Sequence, residues 1–180
     1  MSQHKEGIYA VCVDKWNELE ERLKTADRTK ASPVYSEIRE FKRGEAFVSN
    51  CIRLHEWYFE NLGGGGGAPS GRIAEILRRD FGNLEGWEAD FRSSALSSRG
   101  WVILCYDFFD GRLHNYSGDG PDQGGVWGTY PLLVLDVSEH AYTIDYGTKR
   151  AHYVDAFFKN IEWKVVNDRL EKVLSPAPVS

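Results

Sequence analysis

Apolar residues recur at helical spacing over residues 8–25, where Ile8, Val11, Cys12, Trp16, Leu19 and Leu23 are separated by charged side chains. A polar stretch from Thr25 to Pro33 breaks the pattern. A second stripe of Ile38, Phe41, Phe47, Ile52, Leu54, Tyr58, Phe59 and Leu62 predicts a longer helix over 36–62, with a bend or break near Gly44. Two such helices joined by a short polar loop form an antiparallel hairpin. Five consecutive glycines, Gly63 to Gly67, come next, followed by Ala68-Pro69-Ser70-Gly71. No strand precedes them and no Lys-Ser or Lys-Thr follows, so a phosphate-binding loop is disfavoured. The run reads as a flexible linker.

Beyond the linker, the pattern predicts helices over 72–81 and 84–97. The period then shortens. Trp101 to Tyr106 is apolar and β-branched, Asp110-Gly111 is a hairpin turn signal, and Arg112 to Tyr116 is the return strand. A glycine-rich loop from Gly118 to Gly128 leads to a third strand, Leu132 to Asp136. Helical segments are predicted over 148–174, with a frayed tail over 175–180. The fold class is therefore α+β. An N-terminal antiparallel α-helical hairpin domain covers 1–62, and a glycine-rich linker covers 63–71. A C-terminal α/β domain covers 72–180, with a small three-stranded antiparallel sheet flanked by helices.

Composition narrows the function classes. The 180 residues are 42% hydrophobic and 27% charged, enough for one sizeable core or two small packed halves. A net charge of -5 argues against nucleic acid as a partner. No apolar run approaches a membrane span. The first six residues hold no signal-peptide core, which points to the cytoplasm. Three cysteines, Cys12, Cys51 and Cys105, are too few and too scattered for a disulfide framework or a zinc knuckle.

The chemistry concentrates at the third strand. Five apolar residues end on Asp136, and His140 stands four positions later. A carboxylate at the mouth of a buried strand with an imidazole beyond it suits Fe, Mn or Zn. Taken alone, the pair also fits an ordinary strand end with an Asp capping a helix. The surrounding residues add to this. Pro131-Leu132-Leu133-Val134-Leu135-Asp136-Val137-Ser138-Glu139-His140-Ala141-Tyr142, continuing to Gly147, closely resembles the C-terminal metal-binding signature of the iron/manganese superoxide dismutase family. Leu54-His55-Glu56-Trp57-Tyr58-Phe59 resembles that family's helical histidine with its aromatic cluster. Gly100-Trp101-Val102-Ile103-Leu104 resembles its Gly-Trp strand, and Asn160-Ile161-Glu162-Trp163 its C-terminal helix. The first ligand of that family lies eight residues before a Tyr-Val pair. Cys12-Val13 stands in that place here, and counting back reaches His4.

The resemblance, running from His4 to about Leu170, implies one Fe or Mn ion per chain held by His4, His55, Asp136 and His140. It implies no other cofactor. The place of His4 at the chain start predicts a looser hold than for the other three, because chain ends fray. The implied activity converts superoxide to dioxygen and hydrogen peroxide. Tyr58, Trp101 and Trp163 match residues that wall the site, and Gln123 is the nearest candidate for the glutamine that holds metal-bound solvent. Glu139 matches a residue that reaches across a homodimer to His140 of the partner subunit.

Five positions depart from the family pattern. Cys12 replaces the gateway tyrosine, Ile8 a histidine, Thr143 a tyrosine, Ser138 a tryptophan, and Cys51 a glutamine found in some members. The cage is intact while its proton-delivering surroundings are altered. The expectation is superoxide dismutation at a reduced rate. The alternative is a catalytically weak or inactive relative serving as a metal-binding or interaction scaffold. Cys12 and Cys51 occupy positions that suit two long side chains, so they are expected to lie too far apart for a disulfide.

Overall fold

A computed structural model describes residues 4–175. The described residues open with a π-helical segment, His4–Tyr9, that runs directly into α1, Ala10–Thr25. Helix α2, Glu37–Glu60, returns antiparallel and continues through Gly44 without a break. Its start is fixed by Ser36, whose Oγ accepts from the Arg39 N–H at 3.3 Å. Leu19 of α1 packs over Gly44. Helices α3, Arg72–Phe81, and α4, Leu84–Ser97, follow, and Asn83 caps the second by accepting from Gly86 N–H at 2.6 Å.

Strands β1, Trp101–Asp107, β2, Arg112–Gly118, and β3, Thr129–Asp136, form one antiparallel sheet in the order β2-β1-β3. Strand β3 begins three residues earlier than the apolar run suggests. Pro131 is tolerated because β3 is an edge strand, and a register shift at Leu104/Cys105 of β1 absorbs it. The chain ends in α5, Glu139–Tyr146, α6, Arg150–Phe158, and α7, Trp163–Leu174. Helix α5 is absent from the pattern-based reading. The tail over 176–180 lies outside the described residues.

The open edge of β3 is closed by side chains, not by another strand. Asn61, at the end of α2, accepts from Val134 N–H at 2.8 Å and donates to Val134 carbonyl at 3.2 Å. Buried Arg169 of α7 donates to the Leu132 carbonyl at 2.9 Å and to the Trp57 carbonyl at 3.0 Å. These buried backbone groups, which the sheet leaves unpaired, thus find side-chain partners, as burial requires. The same bonds fix the end of α2 against β3.

The glycine run is pinned, contrary to the expected flexible linker. The N–H groups of Gly63 and Gly64 donate to the Asn160 carbonyl at 3.0 and 3.2 Å, and that of Gly66 donates to the Ile161 carbonyl at 3.2 Å. A Cβ on Gly66, at φ +61°, would stand 2.5 Å from the Phe158 carbonyl oxygen. Glycine is used here because two backbones meet, and looseness is not required. The hydrophobic core likewise runs from Leu54 and Tyr58 of α2 through the sheet to Val166 and Leu170 of α7.

Candidate metal centre

Four separated segments bring His4, His55, Asp136 and His140 together, and their ligand atoms all lie within 4.8 Å of one another. The π-helical segment supplies His4, which is 6% exposed. Tyr9 of the same segment donates from its OH to the Glu56 carboxylate at 2.8 Å, tying the segment to α2. The π-helical turn is a local widening of the kind found at functional sites. Helix α2 supplies His55, the last residue of β3 supplies Asp136, and the first turn of α5 supplies His140.

Asp136 is fully buried. Its Oδ1 accepts from the Ser138 N–H at 2.8 Å, and its Oδ2 faces His4 Nε2 at 3.1 Å, His140 Nε2 at 3.1 Å and His55 Nε2 at 3.6 Å. Burial pushes its pKa up, but the hydrogen bond from His140 and the close approach of the His4 imidazole outweigh burial and hold the carboxyl well below the usual range. His55 is pushed toward its neutral form, mainly by burial. Its Nδ1 lies 2.6 Å from the Cys51 carbonyl, which can only accept, so Nδ1 carries the ring proton. The lone pair of His55 Nε2 therefore points into the cage. Neither this atom nor His4 Nε2 has a properly aligned hydrogen-bond partner, although both are buried. The 3.1 Å approach of His4 Nε2 to Asp136 is close but not aligned as a hydrogen bond. Buried lone pairs facing a carboxylate oxygen are costly unless a cation lies between them. Three imidazole nitrogens and one carboxylate make a donor set that suits a first-row transition metal.

The aromatic wall differs in part from the expectation. The Trp101 ring stands edge-on to His55 at 5.0 Å, and Trp101 pairs directly with Asp136 in the β1–β3 register. The Tyr58 ring lies 5.5 Å from His4, and its OH meets the Tyr153 OH at 2.9 Å. Trp163 is elsewhere. Its ring packs 5.6 Å from Trp87, and its Nε1–H donates to the Gly67 carbonyl at 3.0 Å. Phe59, read from the sequence only as part of the aromatic cluster after His55, closes the cage instead, with ring centroids 5.3 Å from His4 and 6.0 Å from His55. It stands one helical turn after His55, and that i+4 spacing was the signal available. Tyr153 was missed. Its OH donates to the Asp136 carbonyl at 2.7 Å and so steadies the end of β3.

Gln123 does not reach the cage. It is exposed in the loop before β3 and lines a neighbouring cavity of about 210 Å³ with Trp57 and Tyr116. Glu139 is exposed at the start of α5.

Cys12 and Cys51 are joined in a disulfide, which overturns the expectation that they are too far apart. Their Cα atoms are 6.3 Å apart, inside the bridging range. The antiparallel packing of α1 on α2 brings the two positions face to face. Both cysteines border a cavity of about 240 Å³ that His55, His140, Trp101 and Ser138 also line.

Residues 69–169 match the family profile of iron/manganese superoxide dismutases, C-terminal domain. The chain is 43% identical over 175 residues to the superoxide dismutase [Fe] of Aquifex aeolicus, covering 95% of this chain and 82% of that protein. It is 33% identical to superoxide dismutase [Mn] 1 of Halobacterium salinarum over 96% of this chain and 85% of that one. Against the superoxide dismutase [Fe] of Cupriavidus metallidurans it is 39% identical, covering 89% and 81%. With the converging cage, the sheet and the helical hairpin in place, these likenesses make the chain a member of the iron/manganese superoxide dismutase family.

Proposed function

We propose that the chain converts superoxide to dioxygen and hydrogen peroxide at a single iron or manganese ion held by His4, His55, Asp136 and His140. The observation that carries this reading is the inward lone pair of His55 Nε2, buried opposite Asp136 with nothing aligned to receive it. Relatives named for iron and for manganese match the chain at similar identity. The two metals accept the same donors.

The bound ion supplies a one-electron couple. The chain's own residues set the conditions for it. Asp136 contributes the protein's one negative charge to the cage. The Cys51 carbonyl fixes the tautomer and ring orientation of His55. Trp101, Phe59 and Tyr58 keep bulk water from three sides. The cavity past Cys12 and Cys51 borders His55 and His140, and through it a small anion enters. Joined as a disulfide, neither cysteine offers a hydrogen-bond donor where the family's tyrosine and glutamine stand. Proton delivery is correspondingly weakened, and the rate is set below that of relatives retaining both groups. A purely structural relative is the second reading, and the retained cage disfavours it.

The working form we propose is a cytoplasmic homodimer built on the metal-bearing face. His140 is the most exposed of the four cage residues, its side chain at 37%. Among the described residues no group bonds to its Nδ1, and Glu139 stands free beside it, which suits a reciprocal contact between copies. No helix among the described residues is long and apolar enough to cross a membrane.

The test is metal analysis of the purified protein together with a superoxide-decay assay. Replacing Asp136 with Ala leaves three neutral imidazoles and removes the balancing charge, so bound metal should fall by at least tenfold, and activity with it. Unchanged metal content in Asp136→Ala would sink the assignment.

A further inference from the structure

We propose that Cys12 and Cys51 are a redox-active dithiol–disulfide couple whose dithiol form reduces hydrogen peroxide at the mouth of the metal centre, closing to the disulfide. The inference rests on the dismutase reading for its peroxide source, and on geometry for the rest. The two side chains are 8% and 3% exposed, yet both border the cavity that His55 and His140 line. Cys51 Sγ lies 3.6 Å from His55 Nδ1, so the bridge sits directly behind a cage residue. A peroxide leaving through this cavity passes both sulfurs.

The pairing of the helices does not depend on the bridge. Tyr9 bonds to Glu56, the Arg22 guanidinium stacks 4.8 Å from the Phe41 ring, and Leu19 packs over Gly44. The dithiol form is therefore held with its two sulfurs still opposed. The reaction balances. One thiol sulfur attacks the peroxide O–O bond, forming an S–O bond, and the departing oxygen leaves as water with the thiol proton. The second sulfur then displaces the sulfenic oxygen as a second water, so that S–S forms and S–O breaks. Two thiols lose two electrons, and one peroxide gains them. A small-molecule thiol reductant regenerates the pair by exchange. In the cytoplasmic setting proposed above, a redox-active couple persists where a permanent staple is rare.

Cys105 is the internal control. It is the third cysteine and a free thiol. It lies on β1, away from this cavity and with no second thiol left to close on, and burial pushes its thiol up to about 12.

The experiment uses the folded, manganese-loaded protein. It is reduced with dithiothreitol, desalted without oxygen, and treated with one equivalent of hydrogen peroxide. Thiols are then counted in denaturant with a chromophoric disulfide reagent. The expected result is a fall from three thiols per chain to one, with one peroxide consumed. In Cys12→Ser, the lone Cys51 should instead form a sulfenic acid trapped by dimedone. Three thiols persisting against peroxide would overturn the proposal. So would a bridge that dithiothreitol opens only after the chain unfolds, since that marks a structural staple. The superoxide assay separates the two readings. Thiol loss to added peroxide without accelerated superoxide decay keeps the couple and rejects the dismutase reading. Accelerated decay with three persistent thiols does the reverse.

Discussion

Among single residues, Asp80 carries more of the fold than its place in a surface helix suggests. Its side chain is 1% exposed. It accepts from Arg79 Nε at 2.6 Å and from the Leu113 N–H at 2.8 Å, joining the end of α3 to the start of β2. Burial raises its pKa, but the Arg79 and Leu113 hydrogen bonds outweigh burial and leave it lowered. A carboxylate lowered in the native state contributes stability above its unfolded value of about 3.9, and that stability is lost as pH falls through the native value. Asp80→Asn should therefore cost about 2 kcal/mol at neutral pH, the range for hydrogen bonds to a charged group. The gap from the parent should shrink as pH drops below 4. Urea midpoints of both proteins across pH test this, and parallel curves would refute it. The cage residues differ from Asp80 in how they can be found. His55 and Asp136 are marked by neighbouring letters, because each sits in a run of aromatic or apolar residues. Tyr153 carries no such mark, because it meets the cage from another element through a crossover that local spacing does not show.

Elements with strong periodicity are readable, and those without it are not. Helices α3 and α4 and the β1–β2 hairpin follow directly from apolar spacing and the Asp110-Gly111 turn. Helix α5 buries only Tyr142, so it shows no stripe and escapes a periodic reading. The glycine run is the clearest divergence. Its composition says flexible, yet its N–H groups are spent on the turn between α6 and α7. Gly66→Ala places a Cβ against the Phe158 carbonyl at a positive φ, and should cost about 1–3 kcal/mol. Thermal unfolding measures it. A variant as stable as the parent would mean that the segment is free to move.

For the whole molecule, what is to be tested is the proposed pairing of two copies. The family's usual contacts at Ile8 and Thr143 cannot form here, since neither side chain makes a tyrosine–histidine bridge. Ile8 and Val11 instead leave apolar surface near the cavity mouth, Val11 being 52% exposed. Such an interface would lean on apolar burial, with Glu139 as its main polar contact. Glu139→Ala should shift a micromolar sample toward monomer and lower metal retention at His140. Light scattering with metal analysis checks this, and an unchanged dimer with full metal would remove Glu139 from the contact. The sequence by itself determined the residue types of the cage, the α+β order of elements and the family, because these are written in local spacing and short motifs. Only the tertiary structure decided that four segments converge, that Phe59 and not Trp163 walls the cage, and that Cys12 and Cys51 are bonded. Distances between positions on different elements depend on how helices pack and where strands register. One helix's periodicity tells which face is buried, but not which residue of another element that face will meet.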